Sequence, residues 1–469
     1  MKKFIITVLS LSSSLVGFTQ DKTAQALWNE LTANSDSKVI VTSDGTSNTF
    51  SGYDYLWLKS GKRTSNNILG SAKVTIIGSE SDSPTFGKNS FLGIGGEKRA
   101  YMGTWLGFSS VENSDLNTTT YVYNGTFTNK FSAINFYNNS AVRWNDSNAN
   151  GLLDEAERNK LTGSMIIYGG TFNSDITGLG MISDGGYYTA NTNIVIAGSI
   201  TNGAGMGVYG GISGQTDGFG HLFGNTNITV SSAGKTSYVV GGNRRPSDLI
   251  GNSTVNISGT VFGIIGGNYI NDLTTDNAHL TSKVDGNINI NIDGGTVKKS
   301  DKILGVDKYF SGIIGGGVNT NVTGDTTINI KGNSSVTAGI VGGNAGWNSL
   351  SMKNATINIS GGVVNASGTT SLFGVSINDA IYGGSLALGI NGSYTNPDGL
   401  AKITITSSAN LVINEGTAIN VSGGNITGNI FGGGYALGTN ETYSATATVN
   451  GGTAITVDAK NALSINGNI

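Results

Sequence analysis

From about Ser37 to the end of the chain, apolar residues return at every second position in short runs. The clearest is Ile288, Ile290 and Ile292, with asparagines between them. The same alternation recurs at Val255/Ile257, Ile328/Ile330, Ile357/Ile359, Ile403/Ile405, Ile419/Val421 and Ile455/Val457. A period of two sends successive side chains to opposite faces of a strand, so each run predicts a short strand with one face buried. One earlier segment has a different period. Ala24, Leu27, Trp28 and Leu31 fall at i, i+3, i+4 and i+7, which predicts one short helix within 20–36, placed to cap the first strands.

A second element repeats beside the strand runs. Two residues, mostly Ile, Val, Tyr or Phe, precede Gly-Gly, with first glycines at Gly169, Gly210, Gly241, Gly266, Gly315, Gly342, Gly383 and Gly432. The spacing approximates one or two units of roughly 20–25 residues with loops inserted, the mark of a solenoid. Glycine at a corner permits positive φ and close approach of neighbouring backbones. Asn243, Asn268 and Asn344 follow three of the pairs, and stacked asparagines can form a hydrogen-bonded ladder along the axis. The expected fold is all-β: a parallel β-helix, or β-solenoid, over 37–469 with a short N-terminal capping helix and a loop–helix insertion. Roughly 20–25 residues per coil predict about 18–20 coils, and about 4.8 Å per coil predicts a rod on the order of 90 Å long. An antiparallel β-sandwich array is the alternative, but few Asn-Gly hairpin turns separate the runs.

Composition narrows the function classes. Glycine supplies 73 of 469 residues and proline only 3, which excludes a collagen-like repeat and proline-rich linkers. The net charge is -3 with no basic stripe, so nucleic acid is not an expected partner. Lys2 and Lys3 precede an apolar stretch from Phe4 to Phe18. It is too short for a membrane span and reads as a signal peptide over 1–19. There is no cysteine, so an exported chain of this kind holds together by burial and backbone hydrogen bonding rather than disulfides.

One stretch carries metal chemistry. "DSNANGLLDEAE", from Asp146 to Glu157, satisfies the EF-hand calcium-loop pattern at each fixed position. Carried over position by position, Asp146, Asn148 and Asn150 are the first, third and fifth ligands, and Gly151 makes the sharp turn. Leu152 offers its backbone carbonyl, Asp154 acts through water, and Glu157 is the bidentate ligand. Calcium takes six to eight hard oxygens, and this spacing wraps them around one point. Two asparagines in place of carboxylates predict a weak structural site, roughly 10⁻⁴–10⁻³ M, pinning an insertion near 140–162. The other reading is an ordinary polar loop in an asparagine-rich chain.

Other candidates are weaker. Arg244 and Arg245 in "GGNRRPSD" read as a solvated turn. His221 and His279 are the only histidines, and neither lies in a Ser or Asp motif, so a catalytic triad is not expected. "YDYLWL" sets Tyr53, Tyr55 and Trp57 on one strand face, a stripe that packs in a core or stacks on sugar rings.

Runs such as "ATINISGG" and "TAINVSGG", the "NITGNIFGGGYALGTN" element and the N-terminal signal resemble the passenger regions of bacterial autotransporters and related surface adhesins, over roughly residues 160–469. That resemblance implies a right-handed parallel β-helix displayed at or beyond the surface of a bacterium. It also implies a protein or glycan ligand on a host or cell surface, and an outer-membrane export partner. The expected function is therefore a non-enzymatic, adhesin-like β-solenoid with a structural calcium site. The alternative is a carbohydrate-active β-helix enzyme, a polysaccharide lyase or hydrolase. A hydrolase needs converging carboxyl groups roughly 5–10 Å apart, and the acids here are scattered.

Overall fold

A computed structural model describes residues 22–42, 48–50, 54–59, 61–63, 67–70, 73–86, 91–93, 117–128, 130–136, 162–181, 186–203, 206–213, 220–270, 280–299, 311–372, 375–395, 402–438, 443–458 and 462–469. Strands following one another along the chain stack in parallel, coil upon coil, as a β-helix. The first and longest ladder begins with Val39–Thr42, Tyr55–Leu58 and Val74–Ile77 and ends with Thr453–Val457. It has thirteen rungs among the described residues. The expected 18–20 coils were too many, because the spacing between rungs runs from 16 residues (Val39 to Tyr55) to 62 (Thr356 to Ala418). The loops leave the rod and return without adding rungs. Thirteen rungs at about 4.8 Å make a stack on the order of 60 Å.

Register explains the alternating isoleucines. Met165, Ile194, Ile228, Val255, Ile290, Ile328, Ile357 and Ile419 are successive partners in one inward column. Each is fully buried. A one-residue slip would turn every one of them to solvent, so the period-two pattern fixes the register. Ile403 and Ile405 are the exception. They lie in Lys402–Ser407, which pairs antiparallel with part of Leu386–Thr395, so this run is a hairpin leaving the rod rather than a rung.

A second ladder follows the first around each coil. At its N-terminal end Phe86, Phe127 and Phe172 are in register and stack at 5.1 and 4.6 Å between ring centroids, nearly parallel. The column then passes to Asn202; further along the second ladder Val261, Val297, Val336 and Val364 are in register with one another. A third ladder carries the Gly-Gly pairs, in or just after strands such as Val208–Ser213, Tyr238–Val240 and Gly263–Ile265. Seven of the eight pairs belong there; Gly169 instead follows the first-ladder strand Thr162–Ile167.

Close approach, not positive φ, makes these corners glycine. A Cβ on Gly241 would lie 2.3 Å from the Gly266 carbonyl oxygen, and one on Gly266 would lie 2.2 Å from that of Gly315. The same contact recurs along the column to Gly383 and Gly432. Any side chain there would push successive coils apart.

The asparagines work in two ways. After the glycine corner, buried Asn243 and Asn268 meet through backbone: the Asn243 N–H donates to Asn268 Oδ1 at 2.8 Å. Gly317 stands at the next position, and its N–H donates to Asn344 Oδ1. A side-chain ladder runs elsewhere, on the outward face of the first ladder. Asn193, Asn227, Asn256, Asn291, Asn329, Asn358 and Asn420 are joined in order by amide-to-amide hydrogen bonds of 2.8–3.2 Å.

The helix is Ala24–Leu31, capped by Thr23, whose hydroxyl accepts the Ala26 N–H. It packs on the flank of the rod rather than across its end. Ala24 and Trp28 cover Trp57, Ile76 and Tyr123, which belong to three neighbouring coils. The Trp28 and Trp57 rings lie 5.4 Å apart, and the Ala24 N–H donates to Glu80 Oε1 at 2.7 Å.

Candidate functional site

The six residues assigned to calcium, Asp146, Asn148, Asn150, Leu152, Asp154 and Glu157, lie outside the described residues, as do the signal segment 1–19, His279 and Tyr53. Their chain position is nevertheless defined. The segment leaves the third ladder after Phe131–Phe136 and re-enters the first at Thr162–Ile167. In the next coil the same connection carries the strand Gly186–Thr189, which begins a fourth ladder continued by Gly220–Phe223, Asp248–Ile250 and Ser282–Asp285. An insertion at this point therefore interrupts no rung of the first ladder. Among the described residues no group of three or more His, Cys, Asp and Glu side chains comes together to hold a metal.

The most strongly built polar cluster was not legible in the sequence. Arg244 is a largely buried brace rather than a solvated turn. It follows the third-ladder glycine corner and reaches back past the neighbouring coil to Asp175, 69 residues earlier, where Nη1 donates to Oδ2. The side chains are 11% and 1% exposed. The other Asp175 oxygen accepts the Gly207 N–H at 3.0 Å. The guanidinium carbon sits 5.9 Å from the centre of the Tyr209 ring in the coil between. The Tyr209 hydroxyl shares a 2.7 Å hydrogen bond with that of Tyr238, and Tyr238 meets Tyr269 edge to face. Burial pushes the Tyr209 and Tyr269 hydroxyls well above the usual tyrosine range, so both stay neutral. Each carboxylate oxygen accepts a hydrogen bond and the tyrosines are buried, so the cluster binds three coils together.

His221 meets an acid after all. It is in register with Asp248 on neighbouring fourth-ladder strands, with Nδ1 3.2 Å from Oδ2. The second Asp248 oxygen accepts the Lys283 N–H at 2.8 Å. Tyr187 is in register with His221 on the preceding strand, and Lys283 lies on the strand that follows.

Among the other described acids, Asp325 and Glu415 share Lys353. Hydrogen bonding from Lys73, then from the Lys38 N–H, keeps the Asp54 carboxyl below the usual range. Lys283 and Thr323 do the same for Asp285. Asp379 takes Lys299 Nζ and the Thr370 hydroxyl, each at 2.6 Å, which latches the hairpin of Thr369–Leu372 and Val375–Asn378 to an earlier coil. Of the "YDYLWL" stripe, Trp57 is buried under the helix, with its indole N–H on the Gly78 carbonyl at 2.9 Å. Its face is taken by Trp28 rather than presented to a ligand.

No family model, curated protein or solved structure matches this chain.

Proposed function

We propose that this protein is a secreted or cell-surface, adhesin-like β-solenoid that binds without catalysing a reaction and uses Asp146–Glu157 as a structural calcium loop. The observation behind this reading is the outward face of the first ladder. There the asparagine ladder runs beside Thr254, Asn289, Thr327 and Thr356, which occupy the parallel outward row. Neither row carries a charge from Asn227 to Asn420. Each amide inside the ladder, from Asn227 to Asn358, uses one N–H and one lone pair on its neighbours, leaving a second donor and a second acceptor for a partner. A long, rigid, uncharged array suits repeated weak contacts with a protein or glycan surface better than it suits chemistry at one point.

Fluorescently labelled protein is expected to bind cells or immobilised glycans, and Thr327→Lys with Thr356→Glu is expected to reduce that binding at least tenfold. The opposite charges face one another across the ladder and so are tolerated by the fold. Release of new reducing ends or unsaturated sugars from a polysaccharide would instead favour the lyase or hydrolase alternative.

The calcium loop has its own test. Glu157→Gln is expected to remove most of the calcium heat in titration calorimetry at millimolar calcium, because a neutral amide does not hold the ion through two oxygens. Calcium is also expected to protect residues 140–162 from protease while barely moving the unfolding midpoint of the rod. Equal heats in both proteins, or none in either, would leave the segment an ordinary polar loop.

A further inference from the structure

In the middle of the rod, five successive rungs of the first ladder each turn three side chains outward. Beginning at Asn225, Asn252, Asn287, Asp325 and Asn354, the outward triplets read N-x-N-x-T, N-x-T-x-N, N-x-N-x-N, D-x-T-x-N and N-x-T-x-N. The rungs are in register, so these positions form a grid three wide and five deep. Neighbours lie about 4.8 Å apart along the rod and about 6.6 Å apart along a strand. All but Asp325 are Asn or Thr, and every one is half-exposed or exposed. Asp325 is paired with Lys353 at 2.9 Å. The grid is also fixed in place. In its first column Oδ1 of Asn225, Asn252 and Asn287 accepts the backbone N–H of the next rung at 2.8–2.9 Å. In its third, the amides from Asn256 to Asn358 are bonded one to the next.

We infer that this grid also adsorbs to ice. The inference rests on the reading of this face as the one that binds, and adds a partner to it. The prism face of hexagonal ice repeats its oxygen positions on a rectangular grid of similar dimensions. Amides and hydroxyls held at such intervals order water into the same lattice and freeze into the surface with it. Each contact is weak, but the side chains are already immobilised, so little entropy is lost on binding and the contacts add along the rod. The residue types favour a water lattice. The grid holds no tryptophan, tyrosine or arginine, the anchors that carry most protein–protein contacts, and no aromatic face for a sugar ring. Its one charge is neutralised by a neighbour, so the face does not collect the ion atmosphere that would keep ice away.

The fluorescently labelled chain without residues 1–19 tests this through two readouts: the gap between the melting and freezing points of a single ice crystal, and incorporation of label into slowly grown ice. A freezing gap and labelled ice are expected. Asn289→Lys sets a charge at the centre of the grid without breaking a bond of the asparagine ladder, and Thr327→Tyr sets uncharged bulk beside it. Each is expected to lose most of both signals at an unchanged unfolding midpoint. Thr296→Lys, on the outward row of the second ladder, is expected to keep them. The absence of both signals from the wild-type chain would overturn the inference, as would grid variants that behave like wild type. A chain that binds cells or immobilised glycans but is excluded from ice would overturn it too, and would leave the adhesin reading standing.

Discussion

Phe127→Ala is expected to destabilise the N-terminal coils by about 3–5 kcal/mol, the range for truncating a fully buried aromatic side chain. Phe127 has no exposed surface. It lies between Phe86 and Phe172 in the stack and also touches Phe131, with ring centroids 4.7 Å apart. The neighbours cannot close the gap, since each is fixed by its own rung. The loss is local as well as large. A solenoid is stabilised coil by coil through nearest-neighbour contacts, so amide exchange is expected to accelerate in Thr85–Phe86, Phe131–Phe136 and Thr171–Phe172. Ile288–Asp293 and Thr320–Lys331, several coils away, are expected to keep their protection. Uniform acceleration along the whole rod would show that the molecule unfolds as one unit and that the stack is no local staple.

Asp175→Ala is expected to cost about 3–5 kcal/mol, as breaking a buried ion pair from one side does. The guanidinium of Arg244 would be left beside Tyr209 with its charge uncompensated, and the Gly207 N–H would lose its acceptor. Replacing both partners with apolar residues, Asp175→Leu with Arg244→Met, is expected to recover most of that loss, because no buried charge remains. Urea denaturation of Asp175→Leu, Arg244→Met and the double variant gives the coupling directly. A double variant as unstable as the sum of the singles would mean that the brace acts through packing and not through charge.

The two substitutions probe parts of the molecule that differ in how visible they were. The Phe127 rung could be read in part: the "NGTF" and "GGTF" repeats place a phenylalanine two residues after a glycine in successive coils. The Asp175 pair could not. Its members lie 69 residues apart, and neither has a local pattern that names the other. The His221–Asp248 contact is of the same kind, since it depends on which strands become neighbours and in what register.

The chain by itself determined the all-β architecture, the parallel stacking and the inward columns. Alternation at period two is a local property, and register follows from it because a slip of one residue exposes every buried isoleucine. It determined the glycine corners too, although their reason, backbone contact between coils, appears only in the stack. The coil count was misjudged because loop insertions change the spacing between rungs without changing the rungs. The helix was legible as a helix, but its seat on the flank was set by Trp57, Ile76 and Tyr123, an apolar patch assembled from three coils. Only the tertiary structure joined seven asparagines into a continuous outward ladder and turned Arg244 inward. Contacts between residues far apart in the chain exist only after each intervening loop has closed, and no short stretch of sequence encodes that closure.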